Sequence, residues 1–169
     1  MTKLSSRVLF LVAAIVGAFA ACEKVEERDP CLQPRTVTLK AGAYRRAADT
    51  GTAVVDTALP FVIFAPIGGA TALGFVGSSK WAVPLSPQAD SCRYVLQSDT
   101  AAGLTVLDTL TFRYSRRTQF LSNACGYTYF FTLDTVITTT NALDSVRLTT
   151  TLDVTNEADA EHIRIFYAR

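Results

Sequence analysis

Apolar and polar residues alternate with a period of two along most of the chain. From Arg35 to Tyr44, Val37, Leu39, Ala41 and Ala43 share one face and Thr36, Thr38 and Lys40 the other. That is the signature of a half-buried strand. Ala47 to Thr52 reads as a turn, and Ala53 to Ala65 as β-rich chain that Pro60 divides or places at an edge. Pro66 to Ser79, with Gly68, Gly69, Gly74 and Gly77, reads as a flexible connection. Trp81 to Leu85 predicts a short strand, with Pro84 keeping it at an edge or bend. Arg93 to Gln97 predicts the next, with Cys92, Tyr94 and Leu96 on its inner face.

Thr105 to Tyr114 sets Leu110, Phe112 and Tyr114 against Thr109, Thr111 and Arg113, and Ser115 to Thr118 then reads as a hairpin turn. Cys125 to Leu133 places Cys125, Tyr127, Tyr129, Phe131 and Leu133 on one face. Ser145 to Thr155 alternates without error, Asn156 to Glu161 is an acidic loop, and His162 to Ala168 closes the chain with Ile163, Ile165 and Tyr167 inward. About eight or nine short strands with turn signals and no amphipathic helix predict an all-β fold, an antiparallel β-sandwich with a closed β-barrel as the alternative.

The first 21 residues break this pattern. Lys3 and Arg7 precede fourteen uncharged residues, Val8 to Ala21. A membrane span needs roughly 20 helical residues, so the run fits the helical core of an export signal. Phe19-Ala20-Ala21-Cys22 resembles a lipobox, with Phe where Leu is more usual. Small residues admit the backbone to the peptidase, and the Cys22 thiol then carries the diacylglycerol. The domain plan is a signal peptide (1–21), a lipidated Cys22 with a polar tether (22–34) and an all-β domain (35–169). The expected location is the cell envelope, lipid-anchored at the outer membrane on either side, with the acyl chains as the membrane contact. Lys24 with Glu23, Glu26, Glu27 and Asp29 reads as a solvated spacer or as a tag resembling a surface-export signal.

Removing residues 1–21 leaves 14 basic and 15 acidic residues, a net charge of −1. This near neutrality argues against a nucleic-acid binder. Cys22 aside, Cys31, Cys92 and Cys125 allow one disulfide in an oxidising envelope, in any of three pairings. No CxxC, no phosphate loop and no nucleophile turn is present, no cofactor is implied, and the single histidine, His162, reads as an exposed structural residue. The recurring Leu107-Asp108, Leu133-Asp134 and Leu143-Asp144 pairs read as strands with Asp on the wet face.

Two groups carry candidate binding chemistry. Arg113, Arg116 and Arg117, near the expected hairpin tip, have the guanidinium forks that grip carboxylates, phosphates or headgroups; the ordinary role of such residues is to keep a turn soluble. Tyr127, Tyr129 and Phe131 form an aromatic row suited to a glycan or peptide groove, or, by parity with Leu133, to the core.

Several short motifs occur together: Cys22, Cys31-Leu32-Gln33-Pro34, Val83-Pro84-Leu85, Leu110-Thr111-Phe112-Arg113-Tyr114, Phe120-Leu121-Ser122-Asn123-Ala124-Cys125-Gly126 and His162-Ile163. In this the chain is similar to a family of small Bacteroidota cell-envelope lipoproteins known as a domain of unknown function. Val83 departs from the family's Leu-Pro-Leu triplet. The resemblance implies a Cys31–Cys125 disulfide with Cys92 buried and free, and an outer-membrane β-barrel protein as a partner. It implies no activity. The expected role is non-enzymatic, an accessory or assembly partner of another envelope protein; the alternative is glycan or peptide capture.

Overall fold

The structure is a computed structural model, and it describes residues 30–46, 54–69, 71–99, 105–156 and 160–167. The signal peptide, Cys22, most of the tether and the Ala47–Thr52 turn lie outside the described residues. The described residues from Cys31 onward belong to one compact unit.

Eleven strands are described: β1 (Thr38–Arg46), β2 (Val54–Asp56), β3 (Leu59–Pro66), β4 (Leu73–Ser78), β5 (Lys80–Pro84), β6 (Ser91–Asp99), β7 (Thr105–Ser122), β8 (Gly126–Thr138), β9 (Leu143–Leu148), β10 (Asp153–Val154) and β11 (Ile163–Tyr167). They form two sheets in a sandwich-like arrangement, as the alternation predicts. The five-stranded sheet runs β2-β1-β11-β9, with β5 also paired to β1; the six-stranded sheet runs β10-β8-β7-β6-β3-β4. One pairing departs from the antiparallel expectation. β1 and β11, the first and last of the described strands, lie parallel, with Ala41 opposite Ile163 and Ala43 opposite Ile165.

The inner faces supply the core. Leu39, Ala41, Ala43, Val83, Ile163 and Ile165 from one sheet meet Val62, Phe64, Leu96, Leu110, Phe112, Tyr114 and Leu133 from the other. Each large side chain so buried stabilises the fold by roughly 1.5–3 kcal/mol. Phe64 meets Trp81 edge-on at 5.5 Å across the sandwich. Polar groups also bridge it: Tyr94 Oη donates to the Pro84 carbonyl at 2.6 Å. Tyr114 Oη donates to the Ser86 carbonyl and accepts from the Ser86 N–H, both at 3.0 Å.

Four segments depart from the sequence expectation. Pro66–Ser79 is not simply a flexible connection, because it contains the edge strand β4, which pairs with β3 from Leu59↔Ser78 to Phe64↔Leu73. Its glycines masked the alternation, although Leu73 and Phe75 pack against the core. Pro60 divides nothing; it lies inside β3, and the break falls earlier, between β2 and β3.

Ser115–Thr118 is not a turn. It lies inside β7, where Ser115, Arg116, Arg117 and Thr118 face Thr132, Phe131, Phe130 and Tyr129 of β8. A bulge at Arg113/Tyr114 shifts the register, and the hairpin turns instead at Asn123–Cys125, closed by Gly126 at φ 73°. Polar residues in an extended ladder and in a turn look alike in sequence when the far strand supplies the missing partners.

Ser145–Thr155 is likewise not one strand. β9 pairs with β11 in one sheet and β10 with β8 in the other. The crossing is fixed at Thr149, whose N–H donates to the His162 carbonyl at 2.9 Å and whose Oγ1 donates to the Glu161 carbonyl at 2.6 Å.

Candidate functional site

β7 and β8 are longer than their neighbours. β6 pairs with β7 only as far as Arg113, and β10 pairs with β8 only at Phe131 and Thr132. Beyond those points the two strands continue as a two-stranded arm. Tyr127 and Tyr129 keep the parity of Phe131 and Leu133 but run past the end of the core. They are 65% and 42% exposed, and Phe120 is 47% exposed, whereas Phe131 is buried. The expectation of a core row therefore holds for Phe131 and fails for the two tyrosines. Phe120 and Tyr127 are cross-strand partners with ring centroids 5.2 Å apart.

Cys31 is bonded to Cys125 at the turn of this arm, with the Cα atoms 4.7 Å apart. The pairing implied by the resemblance is present. Thr128 Oγ1 adds a hydrogen bond to the Arg35 carbonyl at 2.7 Å, so the incoming segment follows the arm. Cys92 is free and half-buried, and burial pushes its thiol pKa up against hydrogen bonds that lower it.

The three arginines sit along β7 and not at its tip, and they do not converge. Arg113 and Arg117 share the outer face, four residues or about 13 Å apart. Arg116 points the other way and is held by Asp90 Oδ1 at 2.9 Å and by the Pro87 carbonyl. The Arg117 guanidinium lies over the Phe130 ring at 5.3 Å. A single anion grip is not assembled from them.

A second cluster was not legible as a unit in the sequence. A cavity of about 390 Å³ on the five-stranded sheet is lined by Lys40, Ala41, Lys80, Trp81, Ala82 and Glu161. Glu161 is its hub. Oε2 accepts from Lys80 Nζ at 2.6 Å and from Tyr44 Oη at 2.7 Å, and Oε1 accepts from Arg164 Nε at 2.8 Å. Burial opposes ionisation of Glu161, but these three donors outweigh it and hold the carboxyl below its usual range. Burial likewise opposes the charge on Lys80, and its bonds to Glu161 and Tyr44 outweigh that and raise its pKa. Lys80 also lies 4.7 Å from the centre of the Tyr44 ring.

His162 is fully buried, not exposed. Its parity faces outward, but the chain closes over it: Nδ1 accepts from the Lys40 N–H at 2.9 Å, and Nε2 lies 3.2 Å from the Asp153 carbonyl. These bonds call for a neutral ring protonated at Nε2. Burial lowers its pKa, with the Lys40 charge adding to that and the Asp153 bond opposing it. Asp108 is also buried, against the expectation of a wet face, while Asp134 and Asp144 are exposed. Its carboxylate accepts from Thr139 Oγ1 and from the N–H groups of Asn141, Ala142 and Leu143, at 2.7–3.2 Å, and so organises the β8–β9 turn. Among the described residues no group of three or more His, Cys, Asp or Glu side chains could hold a metal ion.

Comparison with known families finds one match: the model of a family of unknown function (DUF6452) covers residues 71–167, more than half of the chain. The match runs from just before β4 to the end of β11, so it takes in the arm, Asp108, Glu161 and His162 and leaves out Cys31 and β1 to β3. No curated protein and no solved structure matches.

Proposed function

We propose that the chain, which belongs to that family of unknown function, is a Bacteroidota-type cell-envelope lipoprotein. In this reading Cys22 is acylated, the membrane is met through that anchor, and the β-sandwich serves without catalysis as an accessory or assembly partner of another envelope protein, such as an outer-membrane β-barrel. The Cys31–Cys125 disulfide is the observation that carries it. Such a bond belongs to an oxidising compartment. It also ties the tether to the most extended part of the fold, so the domain is presented on a short leash.

The non-enzymatic part rests on how the charged groups are spent. Lys80, Tyr44 and Arg164 all serve Glu161, and the resulting shifts hold Lys80 and Glu161 ionised instead of poised to exchange protons near neutrality. Both ring nitrogens of His162 face backbone groups.

Crosslinking in intact envelopes followed by capture of the chain tests the partner reading. A discrete membrane-protein adduct is expected, and a chain that stays monomeric at every crosslinker length contradicts it. Protease shaving of intact cells then separates surface from periplasmic display. A second reading, capture of a glycan or peptide, is favoured by the exposed Phe120–Tyr127 pair. A glycan array with wild type and Tyr127→Ala separates the two.

A further inference from the structure

We infer that the β7–β8 arm is a second membrane contact, which seats Phe120, Tyr127 and Tyr129 in the headgroup layer of an anionic phospholipid surface. The inference rests on the anchor reading above for which surface the arm meets. Three observations carry it. The first is the patch: three large rings stand exposed on one face of the arm, two of them already packed together. The two tyrosines have an apolar body and a polar tip, and such rings concentrate where hydrocarbon gives way to headgroups; Phe120 adds apolar area beside them.

The second is position. Cys31 is covalently fixed to the arm's turn at Cys125, and it lies nine positions after Cys22 in the sequence. Nine residue steps span at most about 30 Å. An acylated Cys22 therefore confines the tip of the arm to the vicinity of the bilayer.

The third is charge. Arg117 is exposed on the arm's other face, with exposed Arg113 at its base, and exposed Arg35 passes beside it through its bond to Thr128. Of the acidic residues beside the arm, Asp90 is spent on Arg116 and Asp153 accepts from Thr132 Oγ1 at 2.6 Å. The tether, with Glu23, Glu26, Glu27 and Asp29, supplies no attraction of its own to an anionic surface.

The test separates the arm from the anchor. The chain from residue 22 onward, with Cys22→Ser and an amino-terminal His-tag, is tethered to phosphatidylethanolamine–phosphatidylglycerol vesicles through a nickel-chelating lipid. This supplies the leash whether or not native Cys22 is acylated. Tyr127→Trp reports on the arm, and Val76→Trp, 77% exposed on the edge strand at the other side of the same sheet, is the reference. The one native tryptophan, Trp81, is buried and common to both. Blue-shifted emission at 127, quenched by lipids brominated near the headgroup, with neither effect at 76, is the expected result. Water-like, unquenched emission at 127 on tethered vesicles overturns the inference and leaves the patch to a carbohydrate or protein. The state of native Cys22 is read separately, by mass.

Discussion

Gly42 leaves the space that the Glu161 carboxylate occupies: a β-carbon at position 42 would stand 2.1 Å from Glu161 Oε2. The glycine is opposite Arg164 in β11 and Lys80 in β5, so the one residue without a side chain lies among the charged ones. Gly42→Ala should push the carboxylate off Lys80 and Tyr44. Glycine replacement alone stabilises a chain by about 0.4–1 kcal/mol through the unfolded state. The displaced hydrogen bonds of a half-exposed cluster outweigh that, for a net loss of about 1 kcal/mol. Urea denaturation checks it. Gly74→Ala, whose nearest neighbour would be Phe61 at an ordinary 3.8 Å, should show no loss. Adding Glu161→Gln to Gly42→Ala should cost less than the two changes summed, because they share one contact.

His162 makes a pH prediction free of other histidines, since the chain has only one. Its folded pKa lies below the ordinary 6.5, so over the interval between the two values the unfolded chain binds more protons than the folded one. Stability therefore falls as pH drops through 6.5, and the loss levels off below the folded value. The urea midpoint should decline between pH 7 and pH 5 in the wild type. His162→Asn, which keeps an acceptor for the Lys40 N–H, should lose that slope. Glu161 adds its own term lower down: its folded pKa is depressed, so its stabilisation is complete above the ordinary carboxyl value of 4.5 and is lost as pH falls below it.

Asp108 separates three superficially equal Leu-Asp pairs. Asp108→Ala strands three backbone N–H groups in or near the core and should cost about 3 kcal/mol. Asp134→Ala and Asp144→Ala remove exposed carboxylates and should stay within about 0.5 kcal/mol of wild type. Thermal or denaturant melts of the three variants give the comparison.

The same pairs show what could be read from the chain. Period-two alternation found the inner faces of β1, β6, β7 and β11, because Leu39, Leu96, Phe112 and Ile165 each face a neighbouring sheet and must be apolar. It could not show where a partner strand ends. Tyr127 and Phe131 share a parity, yet one is exposed and the other buried, because β8 outruns the core. Asp108 and Asp134 share a motif, yet only Asp108 meets a turn that needs acceptors. His162 looked exposed by parity, and Glu161 looked like part of an acidic loop. Both draw their environment from β1, more than a hundred residues earlier, through a parallel pairing that local sequence does not encode. The disulfide was open to three pairings from the residues alone, and only the family resemblance pointed to the one observed.

The Cys31–Cys125 bond closes a sequence separation of 94 residues. Constraint of the unfolded chain over such a loop is worth about 4 kcal/mol. Cys31→Ser/Cys125→Ser should lower stability by up to that amount. Peptide mapping without reductant should recover the Cys31–Cys125 pair, with Cys92 alkylated only slowly in the native protein because its thiol is half-buried and raised in pKa.

The central claim is that a disulfide-stapled sandwich hangs from an acylated Cys22, and the mass of the amino-terminal peptide from the membrane fraction tests it most directly. A mature chain that begins at Cys22 and carries a thioether-linked diacylglycerol is the expected result. A chain that begins elsewhere, or a Cys22 without lipid, would contradict it.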